Sequence, residues 1–312
     1  MHRRWLVFIS LICTLSIFIT APLSAQEAVV VPTEAVEWDG QSRFTVLVMG
    51  MDRRPGARDN LNARTDAIFI ISFDPFQERI GIMHIPRDMH MALLEGAESL
   101  VRVNTLMVRG ESRAEGYGPY FAMETLQNNF GMFIDAYIAF DFEAFINFID
   151  LIGGIEVDVP YIINDPTYPD MNYGFDPLYL TQGLQTFDGR TALQFARTRH
   201  GDNDYLRGER QMQVMLAVRD RISNPLIVQE LVANADALLE SFSGNVYTNI
   251  PAEQFAYLGL TMLLINPNNV MTGALNEDYS FPYADRGNTV RVPDRELLPQ
   301  LFTNIFGENY WQ

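Results

Sequence analysis

The chain contains no lysine. All 22 basic residues are arginine, set against 39 acidic ones, for a formal net charge of -17. That balance excludes nucleic acid as a partner, because gripping a phosphate backbone requires a basic face. It also makes every lysine-type point contact an arginine fork, planar and matched to phosphate or carboxylate. Cysteine is nearly absent: Cys13 is the only one, and it lies in an N-terminal leader, so the rest of the chain has neither disulfide nor thiol nucleophile. Internal repeats, low-complexity tracts and interdomain linkers are missing as well. With 312 residues and 48% apolar content, one full core can be buried.

The leader places Arg3 and Arg4 before an uncharged apolar run over residues 5–20, followed by Ala21-Pro22-Leu23-Ser24-Ala25. This is the pattern of a signal peptide cleaved after Ala25. The uncharged window 5–25 also reaches the length of a bilayer span. Cleaved signal and retained anchor both stand. In either case the body lies outside the cytoplasmic membrane, in the envelope or against the membrane surface, since Arg3 and Arg4 hold the N-terminus inside. Residues 26–42 read as a tether. Residues 43–312 read as a single domain, with core motifs over 44–224 and a helical extension over 225–312.

The apolar run 44–49 predicts a central strand buried on both faces. Second and third strands follow over 67–73 and 79–85. Their ends carry Asp52, then Arg64 with Asp66, then Arg87 with Asp88. Ligand sites in open α/β sheets gather at strand ends. Asp52 and Asp66, on neighbouring strands, are hard oxygen donors of the kind Mg²⁺ accepts beside water and phosphate. Helices are expected over 120–129, 142–151, 212–222, 226–239, 252–264 and 295–306, and strands over 134–140, 155–159, 270–274 and 289–292. Residues 161–180 read as a long irregular loop, a lid or acceptor-binding flap.

The densest cationic stretch is 189–211, with Arg190, Arg197, Arg199, Arg207 and Arg210. Residues 191–196 predict a short helix. On a continuing helix Arg197 and Arg199 would point about 200° apart. They serve one site if the helix stops near Arg197, as Gly201 and the Asp202-Asn203-Asp204 run suggest. A second helix from Leu206 puts Arg207, Arg210 and Gln211 on one face. Cations then converge from both sides of a loop, an arrangement suited to a dianion or pyrophosphate. The structural alternative is arginines that cap helix ends or pair with surface carboxylates.

Several short motifs occur in a fixed order: Leu47-Val48-Met49-Gly50-Met51-Asp52, Arg64-Thr65-Asp66, Ile85-Pro86-Arg87-Asp88, Gly153-Gly154-Ile155-Glu156-Val157, Leu184-Gln185-Thr186-Phe187-Asp188-Gly189, Ala196-Arg197-Thr198-Arg199 and Asp204-Tyr205-Leu206-Arg207-Gly208-Glu209-Arg210-Gln211. Together they make the chain resemble the LytR-CpsA-Psr family of bacterial cell-wall enzymes. The resemblance implies a three-layer α/β/α fold with a central mixed β-sheet and a hydrophobic tunnel for a polyprenyl chain. It implies a phosphotransferase outside the membrane that moves a glycopolymer from a polyprenyl-pyrophosphate carrier to a peptidoglycan sugar hydroxyl, with Mg²⁺ or Mn²⁺. At the matching positions Asp52 and Asp66 stand as metal ligands. Arg64, Arg87, Arg197, Arg199 and Arg207 stand as pyrophosphate holders, with Gln211 assisting. Asp88 is the candidate to orient or deprotonate the acceptor, a structural Arg87-Asp88 pair being the alternative. Leu206 departs from the glycine common before Arg207. Two rivals use the same residues or fewer: a polyprenyl-pyrophosphate hydrolase, and a non-enzymatic lipid-glycan sensor or transcriptional attenuator.

Overall fold

β1 (Phe44–Met51) is an uninterrupted apolar run because both of its faces are covered. In this computed structural model, Leu47, Met49 and Met51 enter one core, while Phe44, Val46 and Val48 enter another across the sheet. β2 (Thr65–Asp74) and β3 (Arg79–His84) divide their side chains in the same way, with Ile68, Ile70 and Met83 on the first face and Phe69, Ile71 and Ile82 on the second. The structure describes residues 29–32, 34–54, 61–93, 100–170, 174–199, 204–233, 242–251, 254–255, 257–259 and 265–311. The chain divides into two units, Met1–Val30 and Val31–Gln312, and the second is described below. The leader lies outside the described residues, as do 234–239 and most of 252–264, where helices were expected. Among the described residues no helix is long and apolar enough to cross a membrane.

After β3 comes a small hairpin, β4 (His90–Ala92) with β5 (Leu100–Arg102), then α1 (Leu106–Glu111) and α2 (Gly118–Phe130). β6 (Ala136–Phe140) runs parallel to β1. α3 (Phe142–Leu151) begins where the Asp141 carboxylate accepts from the Ala144 N–H at 2.9 Å. β7 (Ile155–Val159), expected as a strand, pairs not with the central sheet but with β10 (Gly183–Phe187). Between these two, the loop expected over 161–180 closes on itself as a second hairpin, β8 (Ile163–Asp165) with β9 (Leu178–Leu180). α4 (Gly189–Arg197), α5 (Asp204–Ile222) and α6 (Pro225–Ala233) follow.

Residues 225–312 are more than a helical extension. They supply β11 (Val246–Thr248) and β12 (Val270–Ala274), the two edges of a mixed six-stranded sheet in the order β11-β6-β1-β2-β3-β12. They add a hairpin, β13 (Ser280–Asp285) with β14 (Asn288–Pro293), and α7 (Leu298–Phe306). α7 lies so close on β3 that a Cβ at Gly81 would stand 2.7 Å from the Ile305 carbonyl oxygen. The segment read as a tether is docked from Val36 onward. Val36 N–H donates to Asn249 at 2.9 Å, and Trp38 is buried with its ring 5.5 Å from Phe44. Burying an indole and finding its N–H a partner in the Ser42 carbonyl outweighs the freedom of a loose linker.

Candidate functional site

β1 and β2 keep antiparallel register from Phe44↔Phe73 to Gly50↔Ala67, and then Met51 pairs with Thr65. Asp66 is therefore the extra residue of a β-bulge. A bulge bends its strand and re-aims a side chain. The Asp66 carboxylate accepts from Arg87 Nη1 at 2.6 Å. Its carbonyl, released from the ladder, lies 3.4 Å from Gln211 Nε2. Asp52 follows β1 directly and donates its N–H to the Arg64 carbonyl at 2.7 Å, so both carboxylates and the exposed Arg64 share one end of the strand pair.

The arginines arrive from separate segments. Arg87 follows β3. Arg197 is the last residue of α4, whose Asp188 cap accepts from Thr191 N–H and whose Thr198 leaves helical geometry at φ -55, ψ 145. The stop thus falls at Arg197, although residues 200–203 lie outside those described. Arg197 Nη2 then stands 3.8 Å from Asp52, and Arg199 Nη2 stands 3.6 Å from Asp66. These are charge contacts, longer than hydrogen bonds. Asp88 stands between two cations, with Arg102 at 3.3 Å and Arg87 at 3.8 Å.

Sequence reasoning missed the residues that aim Arg197. Its guanidinium lies 4.1 Å from the Phe142 ring centroid, and Nη1 donates to the Tyr168 hydroxyl at 3.0 Å. Tyr168 belongs to the 161–180 segment, and burial pushes its hydroxyl above the ordinary tyrosine range. The same segment carries Asp165, which accepts from Thr198 Oγ1 at 2.7 Å, one residue past Arg197. Through these two contacts the segment braces Arg197 and the end of α4. Only the unusual length of the loop hinted at such a role.

The shared helix face proposed for Arg207, Arg210 and Gln211 has divided duties. Arg210 is buried and donates through Nε to the Phe195 carbonyl at 2.9 Å and through Nη2 to the Thr198 carbonyl, closing the end of α4. Gln211, expected to assist with phosphate, ties the bulge to α4: its Nε2 lies 3.4 Å from both the Asp66 and Ala196 carbonyls. Arg207 is buried beside His84. Burial, reinforced by the Arg207 charge, lowers His84 to about 3, so the ring is neutral. α5 approaches this ring through Gly208, where a Cβ would collide with the His84 ring.

Ala67, directly after Asp66, starts an apolar strip. Ala67, Ile138 and Phe140 on the sheet, Phe145 and Phe148 on α3, and Met212 and Leu216 on α5 are only partly buried. Asp52 and Asp66 are the two carboxylates that would hold a divalent cation here, and among the described residues no cluster of three His, Cys, Asp or Glu exists. That donor set fits Mg²⁺, which keeps waters and takes phosphate oxygens, rather than a metal caged by protein alone.

The LytR_cpsA_psr family model matches residues 19–304. The chain is 30% identical over 268 residues to the polyisoprenyl-teichoic acid–peptidoglycan teichoic acid transferase TagV of Bacillus subtilis strain 168, covering 82% of this chain and 64% of that protein. It spans less than two thirds of the length of the curated relatives it first matches. The crystal structure of B. subtilis TagV superposes with a TM-score of 0.67 at 24% identity, covering 85% of this chain and 96% of that one. The structure of TagT bound to LI-WTA superposes with a TM-score of 0.66 at 20% identity, covering 91% and 99%. With six strands in a mixed sheet between two covered faces, and with a family match that reaches across nearly all of it, the chain belongs to the LytR-CpsA-Psr family.

Proposed function

We propose that this chain is an extracytoplasmic phosphotransferase that moves a glycopolymer from a polyprenyl-pyrophosphate carrier to a sugar hydroxyl of peptidoglycan. The observation that carries the reading is the convergence of Arg87, Arg197 and Arg199 on Asp52 and Asp66, with a partly buried apolar strip alongside. Relatives named as teichoic acid transferases to peptidoglycan support it. The arginines grip the pyrophosphate as planar forks, and the strip takes the first isoprene units. The acceptor oxygen attacks the phosphorus that bears the glycan. The bond to the bridging oxygen breaks, polyprenyl phosphate leaves, and the hydroxyl proton passes to solvent or to a phosphate oxygen. Asp52 and Asp66 would hold Mg²⁺, whose charge offsets that of the phosphates. Such chemistry depends on positioning and charge neutralisation, not on a protein nucleophile. Phe142 and Tyr168 supply the positioning by fixing Arg197 before substrate arrives.

The test incubates the chain with a short-chain polyprenyl-pyrophosphate-linked glycan, peptidoglycan and Mg²⁺. Glycan phosphate should appear on peptidoglycan as polyprenyl phosphate is released. Asp66→Asn should slow this by about a hundredfold or more, with little change in denaturation midpoint. Equal release of free glycan phosphate without acceptor would instead identify a hydrolase. Mg²⁺-dependent transfer at the parent rate in Asp66→Asn would remove the metal assignment.

A further inference from the structure

The face of the sheet opposite the apolar strip carries a groove of about 820 Å³ between the β4–β5 hairpin and the β13–β14 hairpin. Phe281 and Tyr283, two apart on β13 and so on one face of it, line this groove while 42% and 49% exposed. Asp285, Asp294, Arg295 and Glu296 also line it. Open aromatic rings flanked by carboxylates and a guanidinium offer apolar faces for the C–H surface of a sugar and acceptors for its hydroxyls. A hydrocarbon tail would strand those charges, and an anionic polymer would be repelled by the three carboxylates.

One wall of the groove touches Asp88 through His90. His90 lines it, and its Nδ1 lies 3.0 Å from the Asp88 carbonyl oxygen. Across the ladder His90 pairs with Arg102, whose guanidinium meets Asp88. Met91 and Val101 root the β4–β5 hairpin in the core on one face of the sheet, whereas Ala67, Ile138, Met212 and Leu216 lie on the other. Displacement at phosphorus requires nucleophile and leaving group roughly in line, on opposite sides. The groove and the apolar strip lie on opposite faces of the sheet, the relation that an in-line displacement asks of acceptor and leaving group.

We propose that the Phe281–Tyr283 groove binds the acceptor, a neutral chain of β-linked N-acetylated amino sugars, and delivers its hydroxyl past Asp88 to the arginine cluster. The proposal rests on the transferase reading above for the purpose of the groove, though not for its occupant. The experiment uses the chain and a Phe281→Ala/Tyr283→Ala double variant. Both substitutions remove exposed side chains, and melting temperatures check folding. The probe is a soluble β-1,4-linked N-acetylglucosamine oligomer, titrated by calorimetry, together with steady-state transfer against peptidoglycan concentration. Oligomer affinity should fall about tenfold or more in the double variant. KM for peptidoglycan should rise to match, kcat should change little, and the affinity for short-chain polyprenyl pyrophosphate should be retained.

Several outcomes overturn the groove. The parent could fail to bind the oligomer, the variant could bind it as the parent does, or the variant could lose self-association in place of oligomer binding, which would mark an interface between copies. Transfer with an unchanged KM in the variant sinks the groove and leaves the transferase reading standing. Oligomer binding that is lost in the variant, in a chain that transfers nothing from any lipid-linked donor, does the reverse.

Discussion

Arg53 and Arg210 are surrounded by acceptors of the protein's own making, whereas Arg197 and Arg199 reach their carboxylates only at 3.8 and 3.6 Å. Arg53 donates to Asp141 through Nε at 2.9 Å and Nη2 at 2.7 Å, and to the Tyr247 hydroxyl at 2.9 Å. Asp141 in turn caps α3. Arg210 closes α4 in the same manner. Such arginines are pieces of backbone satisfaction: buried, saturated and unavailable to a ligand. Arg197 lies over Phe142 and meets a single phenol, and Arg199 is half exposed. In a chain without lysine, identity does not separate a structural cation from a ligand-binding one. Partner count and distance do.

The contrast breaks first at Arg53. Arg53→Met leaves Asp141 buried without its cation, and stability should drop by roughly 3–5 kcal/mol. Chemical denaturation measures it, and a loss under 1 kcal/mol would put Arg53 among the ligand-facing arginines. Arg199→Lys is the converse. It keeps the charge and should keep the fold. Affinity for a short-chain polyprenyl pyrophosphate should weaken by roughly ten- to a hundredfold, the worth of one charge-assisted fork contact of about 1.5–3 kcal/mol. Parent-like binding would make Arg199 a surface residue.

His84 sharpens the comparison at Arg207. Folding lowers its pKa from 6.5 to about 3, so the unfolded chain takes up this proton first. The contribution of the neutral ring is complete above pH 6.5. It is lost as pH falls toward 3, at up to about 1.4 kcal/mol per pH unit. Stability of a His84→Gln variant should therefore fall less steeply than that of the parent between pH 6.5 and 4. Parallel curves would mean that the ring is not held neutral against Arg207. The smallest effect is expected at Tyr168→Phe, which keeps the ring and removes the bond to Arg197. Turnover should slow by about three- to tenfold at unchanged Tm, the worth of one ordinary hydrogen bond. A fall in Tm without any change in turnover would make the 161–180 brace structural alone.

Much of the local structure was legible in the residues. The apolar run of β1 announced a strand covered on both faces, α3 spans residues 142–151 as its pattern and flanking glycines required, and the α4 stop fell at Arg197. These are short-range matters of dihedral preference, capping and period, settled within one or two turns. The sequence by itself also determined the inventory: forks instead of ammonium groups, carboxylates at strand ends, and no thiol beyond Cys13 in the leader. Tertiary structure alone decided who meets whom. No local signal marks Asp66 as a bulge, because a bulge exists only as a mismatch of register between two strands. Arg207, Arg210 and Gln211 share a helix face, yet what lies against α5 separated their roles. β11 and β12 joined the sheet from beyond residue 245, and Tyr168 reached Arg197 across 29 residues. The reason is physical: once apolar faces are buried, every polar group left inside must find a partner among whatever packing has brought near, and that neighbourhood is a property of the whole fold.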